Sequence, residues 1–87
     1  MEKIQNYING KFLPPTSGKY FDNYCPSTGE VYSQIPNSEQ QDINLAVDAA
    51  SDAYKIWSSL PKKDRYDHIM HLADVIEDHF DLLVEAE

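Results

Sequence analysis

At 87 residues the chain has room for at most one small domain, near the size where a single core only just offsets the entropy of ordering the backbone. Its 41% hydrophobic and 25% charged residues describe a globular composition rather than a disordered one. A net charge of −8 argues against a nucleic-acid binder, which needs clustered Lys and Arg to neutralise phosphates.

Of the basic residues only Lys62, Lys63 and Arg65 lie close together, and Asp64 and Asp67 interrupt them, as in the solvated first turn of a helix. The single cysteine, Cys25, excludes an intramolecular disulfide framework and fits a reducing compartment. The first residues carry no apolar leader, and no stretch approaches the length of a membrane span. The expectation is a soluble, cytoplasmic chain without a membrane partner.

The chain begins in strands and turns. Tyr7 to Leu13 places Asn9-Gly10 between two apolar runs, a strong hairpin signal because both residues tolerate positive φ. Pro14 and Pro15 end that ladder. Lys19 to Cys25 and Glu30 to Ile35 read as two further strands, joined by the turn Pro26-Ser27-Thr28-Gly29. In the later strand Val31, Ser33 and Ile35 alternate with Tyr32 and Gln34.

A helix is expected over 38–60. Ser38 to Gln41 spells a capping box, and Ile43, Ala46, Val47, Ala50, Ala53, Tyr54 and Trp57 form one apolar stripe to be buried, with Asp42, Asp48 and Asp52 mostly off it. Pro61 suits the start of a second helix over 61–87, with Tyr66, Ile69, Met70, Ala73, Ile76, Phe80 and Leu83 on one face. Asp64/His68 and Asp67/His71 are spaced for pairing on the other side. The final Leu-Leu-Val-Glu-Ala-Glu has no cap and no base, so Glu85 and Glu87 lie at the negative end of the helix dipole. This ending suggests a chain cut short.

Candidate chemistry is sparse. Cys25 has no Lys, Arg or His beside it in sequence and no helix start after it, so a structural role at the end of a strand is expected. His68 and His71 share a helix face but lack the convergent third and fourth ligands of a zinc site. Gly10, Gly18 and Gly29 each fall in a turn rather than at a strand-to-helix junction, which leaves no phosphate loop. The aromatic residues suit packing better than base stacking. No catalytic, cofactor-binding or metal-binding residue is assigned.

In order and spacing, the segments resemble the N-terminal region of the NAD(P)-dependent aldehyde dehydrogenases. The likeness rests on Ile8 to Lys11, Pro26 to Val31, Asp42 to Trp57, Arg65, and Leu72 to Glu77. The wording of Gly10 to Pro14, Pro26 to Tyr32 and Ile35 to Ser38 is most similar to the branch that oxidises 2-aminomuconic or 2-hydroxymuconic semialdehyde. Cys25 stands where the family usually has Asn or Asp, and it does not match the family's catalytic cysteine, which lies far downstream.

The resemblance implies an α/β fold: strands and a hairpin (1–37), then two amphipathic helices (38–60 and 61–87), together the N-terminal part of a Rossmann-like coenzyme-binding domain. It implies a full-length parent that oxidises an aldehyde to a carboxylate with NAD or NADP, through a cysteine thiolate, oxyanion donors, hydride transfer and a Glu-activated water. Those groups all come later in the family's chain, so the segment alone is expected to be inactive and to bind no coenzyme. In some members main-chain oxygens at positions matching Asn23 or Tyr24 help hold a monovalent cation. The implied partners are the rest of the dehydrogenase chain, a small aldehyde, and other copies in a dimer or tetramer. The alternative is a free-standing, non-catalytic binding or oligomer-modulating module of the same ancestry. Alone, the segment is expected to be partly unfolded or self-associating, because both helical stripes lack a cover.

Overall fold

A computed structural model describes residues 2–87, which fall into two compact units, one up to Ala53 and the other Tyr54–Glu87. The chain runs through strands β1 (Glu2–Lys3), β2 (Asn6–Ile8), β3 (Lys11–Leu13), β4 (Tyr20–Tyr24) and β5 (Val31–Pro36). Helices α1 (Gln40–Trp57), α2 (Lys62–Asp78) and α3 (Phe80–Ala86) follow, an α/β arrangement as the sequence suggests.

β2 and β3 form the expected hairpin, with Tyr7 opposite Phe12 and Ile8 opposite Lys11. Asn9 (φ 52°) and Gly10 (φ 75°) are both left-handed, the turn whose twist matches that of the flanking strands. The rings of Tyr7 and Phe12 meet edge to face at 4.9 Å between centroids.

A separate sheet has the order β1-β5-β4. β4 and β5 pair antiparallel, with a register shift between Asn23 and Tyr24. β1 pairs parallel to β5, Glu2 opposite Ser33, and the Ile4 N–H extends the ladder to the Gln34 carbonyl at 2.8 Å. The turn from β4 to β5 closes on Cys25, whose carbonyl accepts from the N–H groups of Gly29 (2.8 Å) and Thr28 (3.3 Å). The Cys25 N–H in turn donates to the Glu30 carbonyl at 2.7 Å. Gly29 takes φ 73°, a conformation a residue with a Cβ adopts only at a cost.

The helical stripes stand without cover among the described residues, as expected of stripes whose cover lies elsewhere. Apart from Pro15, no apolar residue is buried among the described residues, and the two buried polar ones are Ser33 (1% exposed) and Asp42 (4%). On α1 the better covered side is Asp42, Ala46 and Ala49, while Ile43, Val47 and Tyr54 of the expected stripe stand in solvent. On α2 and α3 the expected face from Tyr66 to Leu83 is exposed along its length. The helix expected over 61–87 also breaks at His79 (φ −109°, ψ 22°). There the ring Nδ1 lies 2.8 Å from the Val75 carbonyl, which also accepts from the His79 N–H at 3.2 Å. Phe80 and Leu83 therefore belong to α3, not to one uninterrupted helix.

Candidate functional site

The most organised polar centre is Asp42 in the first turn of α1. The Glu39 carbonyl accepts from the Ile43 N–H, which makes Glu39 the cap residue and puts Asp42 three positions into the turn. Asp42 reaches back to accept from the Glu39 N–H at 3.0 Å, the reciprocal half of a capping box. The expected box on Ser38 and Gln41 is thus displaced by one residue. Ser38 Oγ instead accepts from Asn6 Nδ2 at 2.9 Å.

Asp42 also accepts from the Thr16 N–H (2.9 Å) and the Thr16 hydroxyl (3.3 Å), which ties the turn after Pro15 to the start of the helix. The Glu39 and Thr16 amides together hold its carboxyl below the usual carboxylate range, against the opposing effect of burial. Sequence reasoning set Asp42 aside as an off-stripe acid. Its position three residues after Glu39 is the capping-box spacing, but the Thr16 contact is tertiary and leaves no mark in the sequence.

Cys25 directly follows β4, one residue past the strand end, and is half-buried at the head of the turn. Its thiol is more acidic than its sequence neighbours suggest. Its Sγ lies 3.2 Å from Ser27 Oγ, and hydrogen bonds from Ser27 and then Thr28 lower its pKa to about 7. The missing signal was geometric: hydroxyls two and three residues on come round to the sulfur only when the turn closes. Among the described residues its bonding partners are the hydroxyls of Ser27 and Thr28 and no general base, so the arrangement is an acidified thiol without the partner a nucleophile requires.

The other candidates stay apart. Asn23 donates from Nδ2 to Ser33 Oγ at 3.0 Å, and Tyr24 pairs with Val31 beyond the register shift. The ring of His68 lies 5.7 Å from that of Trp57. The ion pair on α2 joins Lys63 to Asp67 at 3.0 Å, in place of the Asp64/His68 and Asp67/His71 pairs. Among the described residues no three His, Cys, Asp or Glu side chains converge as metal ligands. Arg65, on the first turn of α2, has its Nε shielded from solvent with no hydrogen-bond partner among the described residues.

Dinucleotide phosphates are held by N–H groups at a helix start with a glycine-allowed close approach. At the start of α1 the Glu39 N–H is already bonded by Asp42, and Gly10, Gly18 and Gly29 lie in turns rather than at that start.

Comparison with known proteins gives this geometry its setting. The sequence profile of the aldehyde dehydrogenase family matches residues 12–87. The chain belongs to the aldehyde dehydrogenase family.

It is 46% identical over 84 residues to the 2-aminomuconic semialdehyde dehydrogenase of Mus musculus, covering 97% of this chain and 17% of that protein. It is 37% identical over 86 residues to acetaldehyde dehydrogenase 2 of Cupriavidus necator, again covering 17% of the relative. Among solved structures, an aldehyde dehydrogenase from Bacillus cereus matches with a TM-score of 0.84 at 36% identity, over 90% of this chain and 16% of that one. PnpE in complex with nicotinamide adenine dinucleotide matches with a TM-score of 0.83 at 36% identity, over 87% and 16%. The likeness to 2-aminomuconic semialdehyde dehydrogenases is thus the one the turn motifs suggest. The chain spans about a sixth of these relatives' length.

Proposed function

We propose that these residues are the N-terminal section of the Rossmann-like coenzyme-binding domain of an NAD(P)-dependent aldehyde dehydrogenase. The parent enzyme oxidises an aldehyde to a carboxylate in the cytoplasm, as a homo-oligomer, and its substrate is a 2-aminomuconic-type semialdehyde. This section supplies no catalytic group. Its role is architectural: the sheet and hairpin with α1, and the helical unit with α2, are outer elements laid on the rest of the domain.

The observation that carries the reading is that the described residues hold no apolar core of their own. A family segment with a TM-score of 0.84 to a solved dehydrogenase leaves Phe12 73% exposed and Ile76 50% exposed. Large apolar side chains left in water in such numbers mark surfaces that something else covers. The identity to semialdehyde dehydrogenases supports the substrate, and the match to PnpE in complex with nicotinamide adenine dinucleotide supports the cofactor class.

The test is a chimera in which this chain replaces the matching residues of the Mus musculus relative. The expected result is a soluble enzyme that reduces NAD with 2-aminomuconic semialdehyde at a rate within about tenfold of the relative, a loss of under ~1.4 kcal/mol in transition-state stabilisation. An insoluble chimera, or a folded one without activity, overturns the placement. For the substrate, the product of the complete gene is assayed on the semialdehyde and on acetaldehyde. A higher kcat/KM for acetaldehyde refutes the substrate proposal alone.

A further inference from the structure

The tip of the β2–β3 hairpin joins two groups that can react with each other. Of the asparagines Asn6, Asn9, Asn23, Asn37 and Asn44, Asn9 alone is followed by glycine. In an Asn-Gly pair the backbone nitrogen most readily attacks the preceding side-chain amide, because glycine sets no Cβ beside that nitrogen. The surroundings leave the pair open. Asn9 and Gly10 are exposed, and a Cβ built on Gly10 meets no atom within 4 Å. The ladder pairing falls on Ile8 and Lys11, and among the described residues the Gly10 N–H has no backbone acceptor.

The other asparagines are placed differently. Asn6 and Asn23 lie within strands and donate from Nδ2 to Ser38 Oγ at 2.9 Å and to Ser33 Oγ at 3.0 Å. Asn44 lies within α1, where its Oδ1 accepts from Gln40 at 2.9 Å. Tyr, Tyr, Ser and Leu follow Asn6, Asn23, Asn37 and Asn44, and each crowds the nitrogen that would attack.

We propose that Asn9 is a modification site: it deamidates spontaneously, and the isoaspartate formed there opens the hairpin. The Gly10 nitrogen gives up its proton to solvent and bonds to Asn9 Cγ. The Cγ–Nδ2 bond breaks, and Nδ2 takes up a proton and leaves as ammonia. Water then opens the cyclic imide. Cleavage at the Cγ–N bond gives aspartate; cleavage between the main-chain carbonyl carbon and that nitrogen gives isoaspartate. Water is the only co-reactant, and nothing is oxidised or reduced.

Isoaspartate inserts its Cβ into the backbone of a turn built for two ordinary residues. Ile8 and Lys11 then lose their register, and with it goes the approach of Tyr7 to Phe12. Either product also sets a negative charge at the rim of an apolar hollow of about 350 Å³ that the hairpin tip forms with Ala46 and Ala50 of α1.

The experiment ages the product of the complete gene at mildly alkaline pH and follows the tryptic peptide Ile4–Lys11 by fragmentation mass spectrometry. A sample taken at the start corrects for conversion during digestion. The peptide holds both Asn6 and Asn9, so one is the reference for the other. The acid is expected to accumulate at Asn9 at least about tenfold faster than at Asn6, a barrier lower by ~1.4 kcal/mol. The rate rises with pH, as attack by a deprotonated nitrogen requires. The isoaspartate fraction, separated from fresh protein, is expected to exchange its Ile8 and Lys11 amides faster.

Asn9→Gly keeps the turn type and removes the amide, so its peptide should not change in mass. If Asn9 stays intact in the protein while the synthetic peptide of the same residues converts, the folded surroundings protect it and the proposal is overturned. Equal conversion at Asn6 and Asn9, or a mass change that persists in Asn9→Gly, overturns it as well. Isoaspartate at 9 with unaltered exchange at Ile8 and Lys11 overturns the opening of the hairpin.

Discussion

Replacing Gly29 by alanine tests whether the turn at Cys25 is held by backbone geometry. Gly29 sits at φ 73° and donates its N–H to the Cys25 carbonyl at 2.8 Å. A Cβ built there meets no atom within 4 Å, so any penalty comes from the backbone conformation and not from a clash. The left-handed region costs an L-residue roughly 1–2 kcal/mol relative to glycine. That corresponds to about a 5- to 30-fold shift between closed and open turn.

The reporter is the Cys25 N–H, whose 2.7 Å bond to the Glu30 carbonyl forms only when the turn is closed. Its hydrogen exchange, followed by NMR, is expected to accelerate by that factor in Gly29→Ala. Gly29→Asn should fall between alanine and wild type, since Asn tolerates the left-handed region. A semisynthetic chain with D-alanine at 29 should exchange as slowly as wild type, because its mirror-image Cβ favours positive φ. Unchanged exchange in the L-alanine chain, or equal acceleration by both enantiomers, refutes the reasoning.

Asp42→Ala should free the Glu39 and Thr16 amides, seen as faster exchange at both and loss of helix signal in the first turn of α1; unchanged exchange would contradict the capping geometry. Because the folded pKa of Asp42 is lowered, its contribution is fully present above the ordinary carboxylate value and is lost as pH falls through the lower folded value. The Thr16 and Glu39 amide shifts should therefore titrate together below the ordinary value, and a midpoint at or above it would refute the assignment. Alkylation of Cys25 should reach half its maximal rate near a pH of about 7, where the lowered thiol titrates. The double change Ser27→Ala with Thr28→Val should move that midpoint up towards an ordinary thiol, and an unmoved midpoint would mean that the hydroxyls are not the cause.

What the sequence reveals of this fold is mostly what is local. Asn9-Gly10 and Pro26 to Gly29 specify their turns by backbone preference, so both hairpins are legible. β1 is not legible, because Glu2 and Lys3 carry no periodicity and their partners lie across the sequence on β5. The cap of α1 lies one residue beyond its sequence pattern, since Ser38 and Gln41 fit the capping box by type while Glu39 and Asp42 form it. The apolar stripes were visible as stripes, but their burial was inferred from pattern alone. Periodicity states which face seeks cover and is silent on whether these residues contain the cover. The low thiol pKa of Cys25 stayed hidden for a related reason: Ser27 and Thr28 are plain in the sequence, while their approach to sulfur belongs to the closed turn.

The parallel pairing of β1 with β5 sets an order of events. Glu2 and Lys3 are the first of the sheet's residues to be synthesised, yet their partners Ser33 and Gln34 follow the whole of β4 and its turn. A two-residue strand cannot offset the entropy of closing so long a loop unless its partner strand is already held in place. The β4–β5 hairpin, closed locally at Cys25, therefore forms first as the template. Of these three strands the one made earliest is the last to join the sheet, and until then it is open to any other strand edge that meets it.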